Sequence, residues 1–167
     1  MRRRRPTPAG IAALACLTLI AARVFGPEQL SRSQPSSLSK TVMVQHVLDG
    51  DTLETATGER VRLLGVDAPE IAHHDQPGEP FGAESRAWLS RQIQSRTVTL
   101  TIGPEATDHY GRTLAWVTLP DGTLVNEQLL QTGHARLLDR FGLPAHMEPI
   151  LRKAQATAQA QRAGMWK

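Results

Sequence analysis

The sequence predicts a mainly β fold with helices (α+β), in which five strands form a barrel packed with three helices. Two hydrophobic patterns predict it. Five segments alternate apolar and polar residues, as half-buried strands do, and three segments repeat apolar residues at helical spacing. A sheet of only five strands buries its faces best by curling into a barrel with helices packed against it.

The strand segments are rich in β-branched residues and are separated by turn signals. Asp49-Gly50 and Thr57-Gly58 separate the first three strands, which are therefore expected to form a meander. The predicted strands are 41–48, 52–57, 60–66, 96–102 and 113–119, with a further short strand at 135–138.

The helical segments follow the third and fifth strands. They run from Ala83 to Gln94, from Val125 to Gln131 and from Ala145 to Arg162, and residues 71–82 and 103–112 are loops. The last helix has the clearest apolar stripe, which consists of Met147, Ile150, Leu151, Ala154 and Ala158. This order of elements is compatible with an oligonucleotide/oligosaccharide-binding (OB-fold) barrel.

The first 25 residues have the pattern of an export signal. "MRRRR" is a charged start, and "GIAALACLTLIAA" is an apolar run that ends in small residues. Because this run is shorter than the roughly 20 residues that span a bilayer, we predict that residues 1–25 are either a signal peptide or a membrane anchor that attaches through residues 10–25. The protein is then exported, to the periplasm or the cell exterior. Residues 26–39, rich in Ser, Pro and Gln, are predicted to be a flexible linker before a domain at 40–167.

The basic character of the chain belongs to its first residues. The formal net charge is +3, but residues 1–23 contain five arginines and no acidic residue, which leaves −2 on the remainder. The folded part therefore lacks the overall basic excess that marks many nucleic-acid-binding domains. Cys16 is the only cysteine, so the predicted domain has neither a disulfide framework nor a cysteine metal site.

Three short stretches place charged residues where a hydrophobic core does not need them. Carboxylates that converge without His or Cys form a hard oxygen site, which suits calcium or magnesium. Arginines beside such a metal suit a phosphate, and a further carboxylate can accept a proton from water. Alone, each stretch is an ordinary turn, strand or loop, but together they favour phosphodiester hydrolysis. The stretches are "DGDT" with Asp49 and Asp51, "RLLGVDAPE" with Arg62, Asp67 and Glu70, and "DHYGR" with Asp108, Tyr110 and Arg112.

One of these stretches also predicts a bend. Arg62 and Asp67 are separated by an odd number of positions, so a regular strand would direct their side chains to opposite faces. If both serve one phosphate, the chain must bend or bulge between them, and Gly65 is the residue that permits it.

In this order and spacing, the three stretches resemble the staphylococcal nuclease (thermonuclease) family. The downstream "DGTLVNEQLLQTGHA" and the final "GMW" are similar to it as well, so that the resemblance covers residues 41–166. The resemblance implies a five-stranded barrel with three helices. It also implies a calcium-dependent (Ca2+) nuclease that cuts DNA and RNA and leaves 3′-phosphate ends.

The resemblance further implies a role for each site residue. Asp51 and Asp67 would bind the metal together with the backbone carbonyl of Ala68, and Asp49 would lie just outside the direct ligands. Arg62 and Arg112 would clamp the scissile phosphate. Glu70 would position or deprotonate the attacking water, and Tyr110, with His109 beside it, would bind a substrate phosphate.

The sequence departs from the family pattern in places that affect substrate binding. Ala68 replaces a threonine, which costs little because only a backbone carbonyl is needed. His109 replaces a lysine, which weakens phosphate attraction at neutral pH. Asp139 and Phe141 replace the two tyrosines on which a nucleotide base packs, and the acid is expected to repel a nucleic-acid backbone.

Two other functions compete with a nuclease. The chain could be a non-catalytic OB module that binds single-stranded nucleic acid through aromatic residues and basic grooves. It could also be a phosphodiesterase for a diester other than nucleic acid, an alternative that Asp139 leaves open. We predict a monomer whose partner is its DNA or RNA substrate, and no protein partner.

Overall fold

The computed structural model describes residues 38–72 and 77–167. The predicted signal peptide or membrane anchor lies outside the described residues, and so does the predicted linker up to residue 37. Where the chain is described, no helix is long and apolar enough to cross a membrane.

The predicted barrel is confirmed. Its strands are ordered β1-β2-β3-β6-β5 and the barrel closes between β5 and β1. Neighbouring strands are antiparallel except β3 and β6, which run parallel. A separate two-stranded sheet pairs β4 with β7. The strand bounds are β1 (Ser39–Val47), β2 (Thr52–Thr55), β3 (Arg60–Leu63), β4 (Val66–Asp67), β5 (Thr97–Thr107), β6 (Thr113–Thr118) and β7 (Arg136–Leu137).

Three helices pack against the barrel, as predicted. They are α1 (Gly82–Ile93), α2 (Val125–Gln131) and α3 (Glu148–Ala160), and a 3-10 turn follows at Gly164–Trp166. Helix α3 begins three residues later than expected because Pro149 is tolerated only in the first helical turn. The prediction that Ile150 belongs to the apolar stripe was wrong, since 40% of its surface is exposed.

Two strands differ from the prediction in ways that affect the site. The third predicted strand stops at Leu63, turns at Leu64-Gly65 and resumes as β4. The strand predicted at 96–102 continues to Thr107, because a break in register after Ile102 lets Gly103 and Pro104 pass within it. The glycine and proline had predicted a loop from residue 103, so the first part of that loop is strand instead.

The core fills the barrel and the space between the barrel and the helices. Alternate residues of the strands point inward, which is why Val61 and Leu63 are buried while Arg62 between them reaches the surface. Trp88 and Trp116 are buried as expected of packing residues. The largest fully buried side chains include Leu53, Leu63, Leu89, Ile93, Leu100, Leu129, Leu130 and Leu151.

An ion pair joins β1 to the loop before β3, and it predicts a pH-dependent stability. Lys40 Nζ donates to both carboxylate oxygens of Glu59 at 2.7 Å, and the Thr113 hydroxyl donates to the same carboxylate. Burial opposes the charge of Glu59, but the hydrogen bonds from Lys40 and Thr113 outweigh it and lower the pKa of Glu59 below its usual value.

We expect Glu59→Gln to lower the free energy of unfolding by about 0.5–1 kcal/mol at pH 7. Because the folded-state pKa is depressed, this stabilisation is present above the unfolded-state pKa and disappears as the pH falls through the folded-state pKa, so the two proteins should converge once the pH lies below the folded-state pKa. Urea unfolding at several pH values measures the difference. Glu54→Gln is the control, since its ion pair with Arg60 is 3.9 Å long; an equal loss in both variants would contradict the prediction.

Candidate active site

The turn between β1 and β2 presents the first carboxylates of the site. The backbone N–H of Asp51 donates to Asp49 Oδ1 at 3.0 Å, which closes the turn over Gly50. Gly50 is buried, and a Cβ there would lie 2.5 Å from that of Ala68 and 2.8 Å from that of Ser85. Only glycine therefore lets this turn approach both the segment after β4 and helix α1.

Asp51 is a buried carboxylate held by three donors. Its Oδ2 accepts from the backbone N–H of Ala68 at 2.8 Å and lies 2.9 Å from Arg62 Nη2, while its Oδ1 accepts from the Thr52 hydroxyl at 3.2 Å. Burial raises the pKa of Asp51 and Arg62 opposes the shift, whereas the nearby Asp49 adds to it. The site thus holds an acid whose charge is costly unless cations surround it.

The expected bend at Gly65 is present and brings Arg62 and Asp67 together. Gly65 has a φ of 70°, in the left-handed region, and its carbonyl accepts from the backbone N–H of Leu138. The adjacent Leu64 carbonyl accepts from the buried side chain of Asn126, whose oxygen in turn accepts from the N–H of Val117. Helix α2 and strand β6 therefore hold the bend in place.

Arg62 is locked by protein acceptors on both of its terminal nitrogens. Nη1 donates to the carbonyls of Leu63 and Val66 at 2.8 Å. Nη2 lies 2.9 Å from Asp51 and 3.2 Å from Asp67 Oδ1. Two carboxylates thus flank one nitrogen of a side chain that is only 12% exposed, and within the described residues Nε alone has no acceptor. A phosphate clamp at Arg62 can use Nε at once, but Nη2 only in competition with the carboxylates.

Glu70 lies at the exposed edge of the same cluster. Burial raises the pKa of its carboxyl; the acidic neighbours Asp49 and Asp67 raise it further, and Arg62 opposes them. Over residues 38–72 and 77–167, its carboxylate makes no hydrogen bond. Its backbone is fixed, because its carbonyl accepts from the N–H of Glu79 at 2.8 Å and packs against Gly82 at the start of α1. The backbone of Glu70 is therefore fixed, while its carboxylate remains available to a ligand.

The second arginine enters the site from the start of β6. Arg112 Nε donates to Asp108 Oδ2 at 2.8 Å, and its Nη1 is 3.4 Å from the Thr52 hydroxyl. The guanidinium also lies 5.3 Å from the ring centroid of Tyr110, which is 73% exposed and contacts the ring of His109. Thr52 contacts both Asp51 and Arg112, and so connects the carboxylates around Arg62 to the second arginine.

The residues expected to bind a metal offer oxygen atoms only. Asp51 and Asp67 both lie against Arg62 Nη2, and the backbone of Ala68 is held near Asp51 by its hydrogen bond to that carboxylate. A buried carboxylate with a raised pKa and a second acid nearby is stabilised by a divalent cation, and oxygen donors are those that calcium prefers. In the part of the chain that is described, no three His, Cys, Asp or Glu side chains form a metal cluster. Asp51 and Asp67 offer carboxylate oxygens and Ala68 a backbone carbonyl, a donor set whose chemistry suits a hard cation.

The substitutions at the predicted base-packing positions lie beyond the catalytic cluster. Asp139 accepts from Arg152 Nη2 at 2.9 Å, and Arg152 also bonds Glu148. Phe141 is 78% exposed, with the guanidinium of Arg140 at 4.8 Å from its ring centroid. The repulsion expected from Asp139 is thus offset by an arginine, and an aromatic face with a cation beside it remains available.

Three residues that shape the site were not among the predicted site residues. Thr52, Asn126 and Asp108 each bond a catalytic candidate or its backbone. Asp108 was noted in the sequence as the acid of the "DHYGR" stretch, four residues before Arg112, but no role was assigned to it. Thr52 belongs to the "DGDT" stretch, but its contact with Arg112 spans 60 positions, and the contact of Asn126 with Leu64 spans 62, so no local pattern marks these roles.

Comparisons with known proteins show which proteins this chain resembles. The family model described as staphylococcal nuclease homologue matches residues 60–167. The thermonuclease of Staphylococcus intermedius is 33% identical over 160 residues, which cover 93% of this chain and 94% of that protein. The thermonuclease of Staphylococcus hyicus is 30% identical over 160 residues, with coverages of 93% and 92%. An uncharacterized endonuclease of Escherichia coli O157:H7 is 32% identical over 126 residues, which cover 74% of each chain.

Proposed function

The chain belongs to the staphylococcal nuclease family, and we propose that it is an exported, calcium-dependent nuclease that hydrolyses phosphodiester bonds of DNA, RNA or both. Family membership supports the nuclease function itself. Calcium dependence, export and the roles of single residues are our proposals. The reaction attacks phosphorus with water and breaks the bond to the 5′ oxygen, which leaves a 3′-phosphate end.

One observation carries the proposal. Arg62 of β3 and Arg112, which directly precedes β6, each contact carboxylates, and Thr52 connects the two groups. A barrel that only bound nucleic acid would gain nothing from a buried acid such as Asp51, because carboxylates repel phosphates. The combination of buried acids with arginines suits a site that handles a phosphate and a cation together.

The site residues have different proposed roles, according to their chemistry. Asp51, Asp67 and the Ala68 carbonyl would hold the calcium ion, with Asp49 just outside them, and the bound ion supplies positive charge that offsets the phosphate oxygens. Arg112 donates to the phosphate through its terminal nitrogens and Arg62 through its Nε edge. Tyr110 and His109 bind a neighbouring phosphate.

Glu70 acts on the attacking water. Its carboxylate has no hydrogen-bond partner among residues 38–72 and 77–167, and its raised pKa favours accepting a proton at neutral pH. One proton of the water passes to Glu70 as the oxygen attacks phosphorus. The departing 5′ oxygen takes a proton from solvent, so the products are a 3′-phosphate and a 5′-hydroxyl.

We expect removal of calcium to abolish cleavage. The full-length chain is incubated with single-stranded DNA or RNA in calcium, or with an excess of chelator, and the products are resolved on a gel. Chelation should slow cleavage at least about a hundredfold, since a metal supplies several kcal/mol of charge stabilisation. Restored calcium should restore the rate, and the new ends should carry 3′-phosphates.

Three outcomes would overturn parts of the proposal. Cleavage that persists in chelator removes the metal from the mechanism. Tight binding of single strands without cleavage, by a well-folded protein, favours the binding module instead. Activity on a small diester but not on DNA or RNA favours a phosphodiesterase for another substrate.

Export is supported by the charged and apolar pattern of residues 1–25. Fractionation of cells that express the full-length chain separates the possibilities. A shortened chain in the periplasm or medium indicates a cleaved signal, and a full-length chain in the membrane fraction indicates an anchor. A full-length chain in the cytosol contradicts export.

A further inference from the structure

Asp108 makes contacts that a surface turn alone does not need. Its Oδ1 accepts from the backbone N–H groups of Tyr110 and Arg112, both at 3.0 Å, which shapes the turn. Its Oδ2 is turned to the guanidinium and accepts from Arg112 Nε at 2.8 Å. One carboxylate therefore fixes the backbone and the side chain of the same arginine, and its own side chain is only 14% exposed.

The hydrogen bonds of Arg112 determine which of its donors are free. Nε is held by Asp108, and Nη1 has a long contact to Thr52. In the described part of the chain Nη2 has no protein acceptor. The ring of Tyr110 covers one face of the guanidinium, at 5.3 Å. The plane and rotation of the guanidinium are thus set before any substrate arrives.

We propose that Asp108 is a positioning residue for the nuclease reaction, one that orients the Arg112 guanidinium so that its terminal nitrogens meet the substrate phosphate. This inference rests on the proposed function. The hydrogen bonds that Asp108 supports from Tyr110 N–H and Arg112 N–H also place Tyr110 beside that guanidinium. The contribution of Asp108 is geometric, because a misplacement of about 1 Å at a phosphate clamp costs up to roughly a hundredfold in rate.

The alternative is that Asp108 only stabilises the turn. Asp108→Asn separates the two roles. The amide oxygen of Asn still accepts from the N–H groups of Tyr110 and Arg112, so the turn survives. The amide nitrogen, however, is a donor and meets the donor Nε–H of Arg112, so the guanidinium must rotate away. A purely structural residue would tolerate this change.

A matched control exists in the turn after β6. Asp121 Oδ1 accepts from the backbone N–H of Thr123 at 2.9 Å, the same turn geometry, and no arginine side chain donates to it among the described residues. Asp121→Asn therefore repeats the chemical change without disturbing a guanidinium. Thermal unfolding of both variants shows that the fold is retained, and Asp108→Ser, whose hydroxyl can still accept from the turn, replaces the Asn variant if that variant unfolds.

The experiment measures kcat and KM of the full-length chain on single-stranded DNA in calcium. We expect Asp108→Asn to lower kcat by about tenfold to a hundredfold, with KM changed less than about threefold, and Asp121→Asn to match the wild type. In an Arg112→Ala background, Asp108→Asn should have no further effect, because it acts through that arginine. Independently of activity, the Arg112 Nε–H resonance in NMR spectra should shift upfield in Asp108→Asn and stay in place in Asp121→Asn.

The outcomes distinguish this inference from the function on which it rests. If the wild type fails to cleave in calcium, both the nuclease function and the positioning role of Asp108 are overturned. If the wild type cleaves and Asp108→Asn cleaves equally fast, only the positioning role is overturned. A loss of rate that adds fully to that of Arg112→Ala also overturns it, since Asp108 would then act by another route.

Discussion

Arg62→Ala is expected to lower kcat on single-stranded DNA by about a thousandfold, roughly 4 kcal/mol of transition-state stabilisation. Arg62 contacts Asp51 and Asp67 through one nitrogen and has an Nε edge that is free for phosphate. Its loss removes a phosphate donor and leaves two acids without the cation that lies between them. The effect should exceed that of an exposed arginine because only 12% of the Arg62 side chain is exposed.

The neighbouring arginine on the same strand provides the control. Arg60 is 65% exposed and contacts Glu54 at 3.9 Å, so Arg60→Ala should change kcat by less than about twofold, as surface substitutions do. Arg62→Lys keeps the charge but cannot bond two carbonyls and two carboxylates at once, and we expect a loss of at least about tenfold. A folded Arg62→Ala protein that cleaves at the wild-type rate would remove Arg62 from the mechanism.

Gly65→Ala is expected to lower the free energy of unfolding by about 2–4 kcal/mol. Part of the loss is conformational, since a residue with Cβ at a φ of 70° costs about 1–2 kcal/mol. The rest comes from crowding: the new Cβ would lie 3.0 Å from both Leu151 Cδ1 and Trp116 Cη2, and overpacking costs about 1–3 kcal/mol. Because Gly65 forms the bend between Arg62 and Asp67, kcat should fall as well.

Gly58→Ala isolates the conformational part of that loss. Gly58 has a φ of 81°, and nothing lies within 4 Å of its added Cβ, so its cost should be only about 1 kcal/mol. Urea unfolding of both variants measures the difference, and the activity assay shows whether the bend affects catalysis. Equal destabilisation of the two variants would mean that Leu151 and Trp116 move aside at little cost, contrary to our expectation.

The periodic parts of the fold could be predicted from the sequence. Strands such as 96–102 alternate β-branched and apolar residues, and this pattern survives in β5. The extension of β5 through Gly103 and Pro104 could not be predicted, because it depends on a break in register with β6. The start of α3 was misjudged although Pro149 marks it, since the apolar pattern around the proline suggested a longer helix.

The candidate site could also be predicted only in part from the sequence. The kinds of residue at Asp51, Arg62, Asp67 and Arg112 point to phosphate chemistry, and their convergence follows once the strands are paired. The sequence does not show that Arg62 Nη2 lies between two carboxylates, because this depends on the bend at Gly65. Nor does it show that Asn126 holds that bend by bonding the Leu64 carbonyl across 62 residues. Such contacts are set by tertiary packing and not by local pattern.

The parallel pairing of β3 with β6 determines when during synthesis the chain can become a nuclease. Val61 pairs with Thr113, and this register places Arg112, which directly precedes β6, beside the strand that carries Arg62, although 50 positions separate the two arginines. Contacts so distant in sequence form late, after the intervening chain has folded back. A ribosome-bound chain that ends before Arg112 holds only one of the two arginines that we propose to bind the phosphate. We therefore expect cleavage activity to appear only when the barrel has closed.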